Sequence, residues 1–180
     1  MATGTILFDM AGAMPADGTG TINNPAQATV SVSATAQTTN APKSTVLSWA
    51  FDATTDEHVE WTFPMPENYA SGGTLRLSSA CVNGQAAAAE VIWKSALAAT
   101  TPDAVENAVT KVFGTVATGS ALFNSLASGI AVSTAISPGL DSVAAGDTVT
   151  LFIGRDADHT MDDAAGDVLL LTARFEYVTT

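Results

Sequence analysis

Hydrophobic and polar residues alternate most regularly in the last third of the chain. Val149, Leu151 and Ile153 alternate with Thr148, Thr150 and Gly154, and Leu169, Leu171, Ala173, Phe175 and Tyr177 with Thr172, Arg174 and Glu176. A period of two marks strands with one dry and one wet face. A slip of one residue would turn a whole row outward, so this pair sets the register of the sheet it joins. An acidic loop lies between the two strands.

The same alternation recurs upstream. Leu47, Trp49 and Phe51 share one face. Val59, Trp61 and Phe63 share another, with His58, Glu60 and Thr62 opposite, until Pro64 and Pro66 remove donors and end the strand. Leu75 and Leu77 precede Cys81, and Asn83-Gly84 is the strongest hairpin signal in the chain, with Val91, Trp93 and Leu97 on the expected return strand. Thr100 to Asp103 reads as a turn leading to a strand at 109–116, then a Gly, Ser and Asn-rich connection at 114–125, then a strand in which Val132 and Ile136 share a face. Roughly eight strands with no helix long enough for a crossover predict an all-β fold, an antiparallel jelly-roll sandwich over residues 45–180.

Residues 1–44 differ. Beyond a short strand at Gly4 to Asp9 they are dominated by Ala, Thr, Gly, Asn, Ser and Gln, broken by Pro15, Pro25 and Pro42, with one alternating run at Ala28 to Thr35. Such a segment buries little by itself. It is expected to be an extended N-terminal arm, or one edge hairpin, ordered against another surface.

Composition narrows the function. Eighteen acids against six bases give a net charge of −12, which speaks against nucleic acid as a partner, since phosphate binding needs clustered Lys and Arg. Charged residues make up only 13% and apolar ones 47%, so the surface is built largely from small and hydroxylated side chains. One cysteine, Cys81, forms no intramolecular disulfide and reads as a buried small residue. The start of the chain lacks the pattern of a signal peptide, and no apolar run approaches the roughly 18 residues of a membrane span. Synthesis in a cytoplasm and no membrane partner are the expectations.

Candidate chemistry is sparse. Between the terminal strands lie Arg155, Asp156, Asp158, His159, Asp162, Asp163 and Asp167. Asp156, Asp158, Asp162 and Asp167 have some of the spacing of a calcium loop, but Met161 stands where that loop needs Gly, and Asp167 is shorter than the usual final Glu. The plainer reading is that Arg155 pairs with Asp156 or Asp167 in a solvated loop. His58 and His159 lie near no recognisable nucleophile turn, so no catalytic residue and no cofactor is expected. Trp49, Trp61 and Trp93 share faces with aliphatic residues and read as core, not as a sugar-stacking platform.

One set of motifs carries a resemblance. The residues Trp61-Thr62-Phe63-Pro64-Met65-Pro66, Tyr69, Gly72-Gly73-Thr74-Leu75, Val91-Ile92-Trp93, Ala145-Gly146-Asp147, Arg155-Asp156-Ala157, Gly166-Asp167-Val168-Leu169-Leu170 and Phe175-Glu176-Tyr177 are similar to those of jelly-roll capsid decoration, or cement, proteins of tailed bacteriophages. The resemblance covers about residues 49–178. It implies a non-enzymatic virion protein, with the major capsid protein and itself, as a homotrimer, for partners, placed on the capsid exterior. Trp49, Trp61, Phe63, Trp93, Leu169, Leu171, Phe175 and Tyr177 would form the core and trimer scaffold. The alternative is a trimeric receptor- or carbohydrate-binding head of a phage tail fibre, which would need exposed aromatic residues at one end of the sandwich.

Overall fold

The computed structural model describes residues 2–16, 28–35, 44–85, 88–104, 112–124 and 131–180. Its strands are β1 (Thr3–Phe8), β2 (Met14–Ala16), β3 (Thr29–Thr35), β4 (Ser44–Phe51), β5 (Glu57–Pro64), β6 (Tyr69–Cys81), β7 (Ala89–Thr100), β8 (Ala117–Phe123), β9 (Ala131–Ile136), β10 (Thr148–Arg155) and β11 (Val168–Thr179). One sheet runs β3-β4-β11-β6-β9 with β1 also on β11, and the other runs β2-β5-β10-β7-β8. Every ladder between these strands is antiparallel. From β4 onward every link except β7 to β8 crosses from one sheet to the other. Eight strands wound this way are a jelly roll.

The inward rows of both sheets meet in one core that includes Trp49, Phe51, Val59, Trp61, Leu75, Leu77, Val91, Trp93, Leu97, Leu151, Ile153, Leu170 and Phe175. Strict alternation fails within β11. Between Leu170 and Thr172 the pairing of β11 with β6 shifts register. The extra residue reverses the parity of everything before it. The inward row is therefore Val168 and Leu170, then Ala173, Phe175 and Tyr177, while Leu169 and Leu171 are only half-buried. Both leucines are thus corrected from core to the outward side. Phe63 is half-buried too, packed against Phe8 with ring centroids 5.1 Å apart.

Three other expectations change. Asn83-Gly84 does not close a hairpin, because both edges of β6 are taken by β11 and β9, and those of β7 by β10 and β8. The turn instead carries the chain between sheets, held by the buried Gln85, whose amide donates to the Asn83 and Ala165 carbonyls and accepts from the Ala165 N–H. Residues 112–116 form no strand, and the rest of the expected strand at 109–116 lies outside the described residues. The stretch expected as a connection contains β8 instead. Its small residues are required: a Cβ on Gly119 would lie 2.7 Å from Ile136 of the facing sheet.

The described residues of the segment 1–44 form β1, a single 3-10 turn at Met10–Gly12, β2, β3 and the start of β4, and they lie along this chain's own sheets. Beyond Leu170 strand β4 leaves the edge of β11, and β1 takes it over from Ala173 to Val178. An edge left open there would invite another chain. The Trp49 indole N–H donates to the Met10 carbonyl and that of Trp61 to the Asp9 carbonyl, both at 2.8 Å. Two core tryptophans thereby staple the N-terminal segment. Strand β3 pairs antiparallel with β4 at the edge of the sheet.

Candidate functional site

The polar residues singled out by the sequence gather at one end of the sandwich. Arg155 ends β10 on the same parity as Val149, Leu151 and Ile153, so its side chain enters the core and is fully buried. Its partner is Asp162, neither Asp156 nor Asp167. Nε donates to Asp162 Oδ2 at 3.1 Å and an amino group to Oδ1 at 2.7 Å. The remaining donors reach the carbonyls of Asp52 at 3.1 Å, Gly166 at 3.0 Å and Ala164 at 3.1 Å. Asp162 Oδ2 also accepts from the Ile92 N–H at 3.0 Å. A buried ion pair is tolerable only when its other hydrogen-bonding groups are also satisfied. Here one guanidinium ties together the end of β4, the acidic loop and the start of β11.

Glu57 stands beside Arg155 across the β5–β10 ladder and is buried on the inward face. It accepts from the Asp52 N–H at 2.7 Å. Burial pushes its carboxyl above the ordinary range, opposed by that hydrogen bond and by the Arg155 charge. Asp52 itself is held below the ordinary range, first by the Thr54 hydroxyl and then by the backbone N–H groups of its turn. Burial raises the Cys81 thiol.

The four acids weighed as a calcium loop, Asp156, Asp158, Asp162 and Asp167, do not come together as one set. Asp162 is engaged by Arg155, whereas Asp156 and Asp158 meet Asp56 of the β4–β5 turn, with ligand atoms within 4.8 Å of one another. The ammonium of Lys94 lies against this group, paired with Asp56 and 3.4 Å from Asp156. Asp167 contributes its carbonyl to the Val82 N–H. Asp56 and Lys94 escape a sequence reading, since both come from elements distant in the chain. His58 packs on Phe152 at 5.0 Å, and His159 Nδ1 accepts from the Met161 N–H.

Every Trp, Tyr and Phe falls within the described residues and none is exposed, with Phe63, Phe113 and Phe152 half-buried. The other notable polar group lies on the outer face of the six-stranded sheet. Arg76 and Arg174 are directly paired across β6 and β11, and Glu176 accepts from Nε of both, at 2.6 and 3.0 Å. Those bonds, led by the one from Arg76, hold the Glu176 carboxyl below its usual range.

Fold and site together define an antiparallel jelly-roll sandwich whose best-organised polar cluster is an internal brace. No known protein family and no curated protein matches the chain. Among solved structures it is similar to a family 11 carbohydrate-binding module from Clostridium thermocellum, in complex with a β-1,3-1,4-mixed-linked tetrasaccharide. The identity is 12% and the TM-score 0.41, over 97% of this chain and 96% of that one; nothing about ligands follows from it. Among the described residues no helix is long and apolar enough to cross a membrane.

Proposed function

We propose that this chain is a non-enzymatic capsid decoration protein, which binds as a trimer to the outer surface of a phage capsid and stabilises contacts between major capsid subunits. The observation that best supports this reading is that the scattered motifs of the resemblance touch one another. Met65 and Gly146-Asp147 exchange backbone hydrogen bonds of 2.8 and 3.0 Å. The ring of Phe175 occupies the space where a Cβ of Gly73 would be, and Tyr69 and Tyr177 pack at 5.7 Å. Trp93 is the ladder partner of Arg155. The motifs are therefore one packing unit, which is what a resemblance in architecture requires. A low-charge, acidic surface also suits a shell exterior away from packaged DNA.

The test is to add purified protein to capsids that lack it. Saturable binding with a stoichiometry in threes, together with a higher disruption temperature of the shell, is the expected result. Failure to bind, combined with a glycan-array signal at micromolar concentration, would replace this reading with the tail-fibre head.

A further inference from the structure

The outer face of the six-stranded sheet carries a row that folding does not call for. Leu7 of β1 is the ladder partner of Arg174 of β11, Arg174 that of Arg76 of β6, and Arg76 that of Ala135 of β9. The four residues stand side by side across four strands, a span of about 14 Å at the usual strand spacing. Leu7 is 77% exposed, the highest value among the exposed large apolar residues. Like charges directly opposite on a sheet are unfavourable. Here two guanidinium groups share one carboxylate, so Arg76, Arg174 and Glu176 together carry a net positive charge. Among the other described cations, Arg155 is fully buried and Lys94 lies within its acidic group. The row is thus a cationic and apolar spot on a chain of net charge −12, and arginine is among the residues enriched at interfaces.

We infer that the row Leu7, Arg174, Arg76 is a self-association surface that receives a carboxylate-bearing surface of a second copy of this chain. Charge complementarity selects this occupant. Two copies repel over most of their acidic surfaces, and contact is favourable where this spot of one faces the acids of the other. Such a contact is head-to-tail, and a head-to-tail contact that repeats by rotation closes into a ring. The inference rests on the trimer named in the proposed function and locates one side of its interface.

The experiment is multi-angle light scattering of the full chain over a dilution series, at low and at high salt, for wild type, Leu7→Ser and the double variant R76E/R174E. Wild type is expected to be an oligomer whose dissociation midpoint rises with salt. The double reversal is expected to raise that midpoint tenfold or more, and Leu7→Ser to raise it severalfold. Leu7→Ser changes an exposed side chain, so it keeps the test valid if the double variant folds poorly by circular dichroism. A wild-type monomer at every concentration, or an oligomer indifferent to both substitutions, would overturn the inference. So would a wild-type monomer whose capsid binding is lost in the variants, because the occupant would then be the capsid. An oligomer sensitive to the substitutions but unable to bind capsids would leave this inference standing and remove the decoration reading.

Discussion

Arg155 and the Arg76–Arg174 pair put the same side chain to opposite uses. Arg155 is fully buried, and its donors end on a carboxylate and on backbone carbonyls of its own chain. Arg76 and Arg174 have side chains 42% and 51% exposed and share the single carboxylate of Glu176. In a low-dielectric interior an unpaired charge is severely unfavourable, so the first arrangement admits no loose end. At the surface water replaces any missing partner, so the second can persist with a charge in excess. The buried arginine organises this fold, and the exposed ones remain available to another molecule.

The sharpest way to break this comparison is to remove the buried cation. Arg155→Ala strands Asp162 in the core and leaves the Asp52, Ala164 and Gly166 carbonyls without their donor, for an expected loss of about 3–5 kcal/mol. Urea unfolding monitored by tryptophan fluorescence would measure it. A change below about 1 kcal/mol would mean that water reaches the site and that the brace is not what closes this end. The second test replaces both partners. R155M/D162L is expected to recover part of the stability lost in Arg155→Ala, since neither member of the ion pair is then left alone in the core. If the double variant were as unstable as the single one, the carbonyl contacts and not the ion pair would dominate.

The difference between the two sites is only partly legible in the sequence. Alternation reveals the inward rows of β5, β7 and β10, although in β7 the opposite face, with Ile92, Ala96 and Ala98, is buried as well. The same parity, continued one step, puts Arg155 and Glu57 inward; charge argues for the surface, and only the partners met in the fold, Asp162 for Arg155 and the Asp52 N–H for Glu57, make burial intelligible. The bulge at Leu171 leaves no mark in the sequence. All four residues from Val168 to Leu171 are apolar, so counting back from Phe175 in steps of two selects Leu171 and Leu169, the outward pair. Strand β8 is hidden because close approach of the facing sheet demands glycine and alanine where strands usually show branched residues. The pairing of Arg76 with Arg174 follows from β6 lying beside β11, a neighbour relation that periodicity does not contain.

An intermediate effect is expected where burial and charge compete. The Glu57 carboxyl is raised, chiefly by burial. A group with a raised folded-state pKa contributes stability that is present below its unfolded value and lost as pH rises through the folded one. Wild type therefore carries a Glu57 penalty at neutral pH that is absent in acid. Glu57→Gln is expected to gain melting temperature relative to wild type as pH goes from about 4 to about 7. A flat difference would show that desolvation is offset, and an opposite slope that the Asp52 N–H bond and the neighbouring Arg155 charge together outweigh it.

The smallest effect belongs to the exposed site. Glu176→Gln removes the acid between Arg76 and Arg174 and leaves two guanidinium groups paired across β6 and β11. The Glu176 pKa is depressed, first by the hydrogen bond from Arg76, so its contribution is present above the ordinary carboxylate range and lost as pH falls through the lowered value. Solvent screening keeps it small. At neutral pH and low salt the dilute, dissociated chain is expected to lose about 2 °C or less in melting temperature. In about 1 M salt, where screening acts within roughly 3 Å, the difference should vanish. A loss as large as that of Arg155→Ala, or one unaffected by salt, would mean that the surface trio is a second structural brace. Its excess positive charge would then be a requirement of the fold and no longer an argument for a partner.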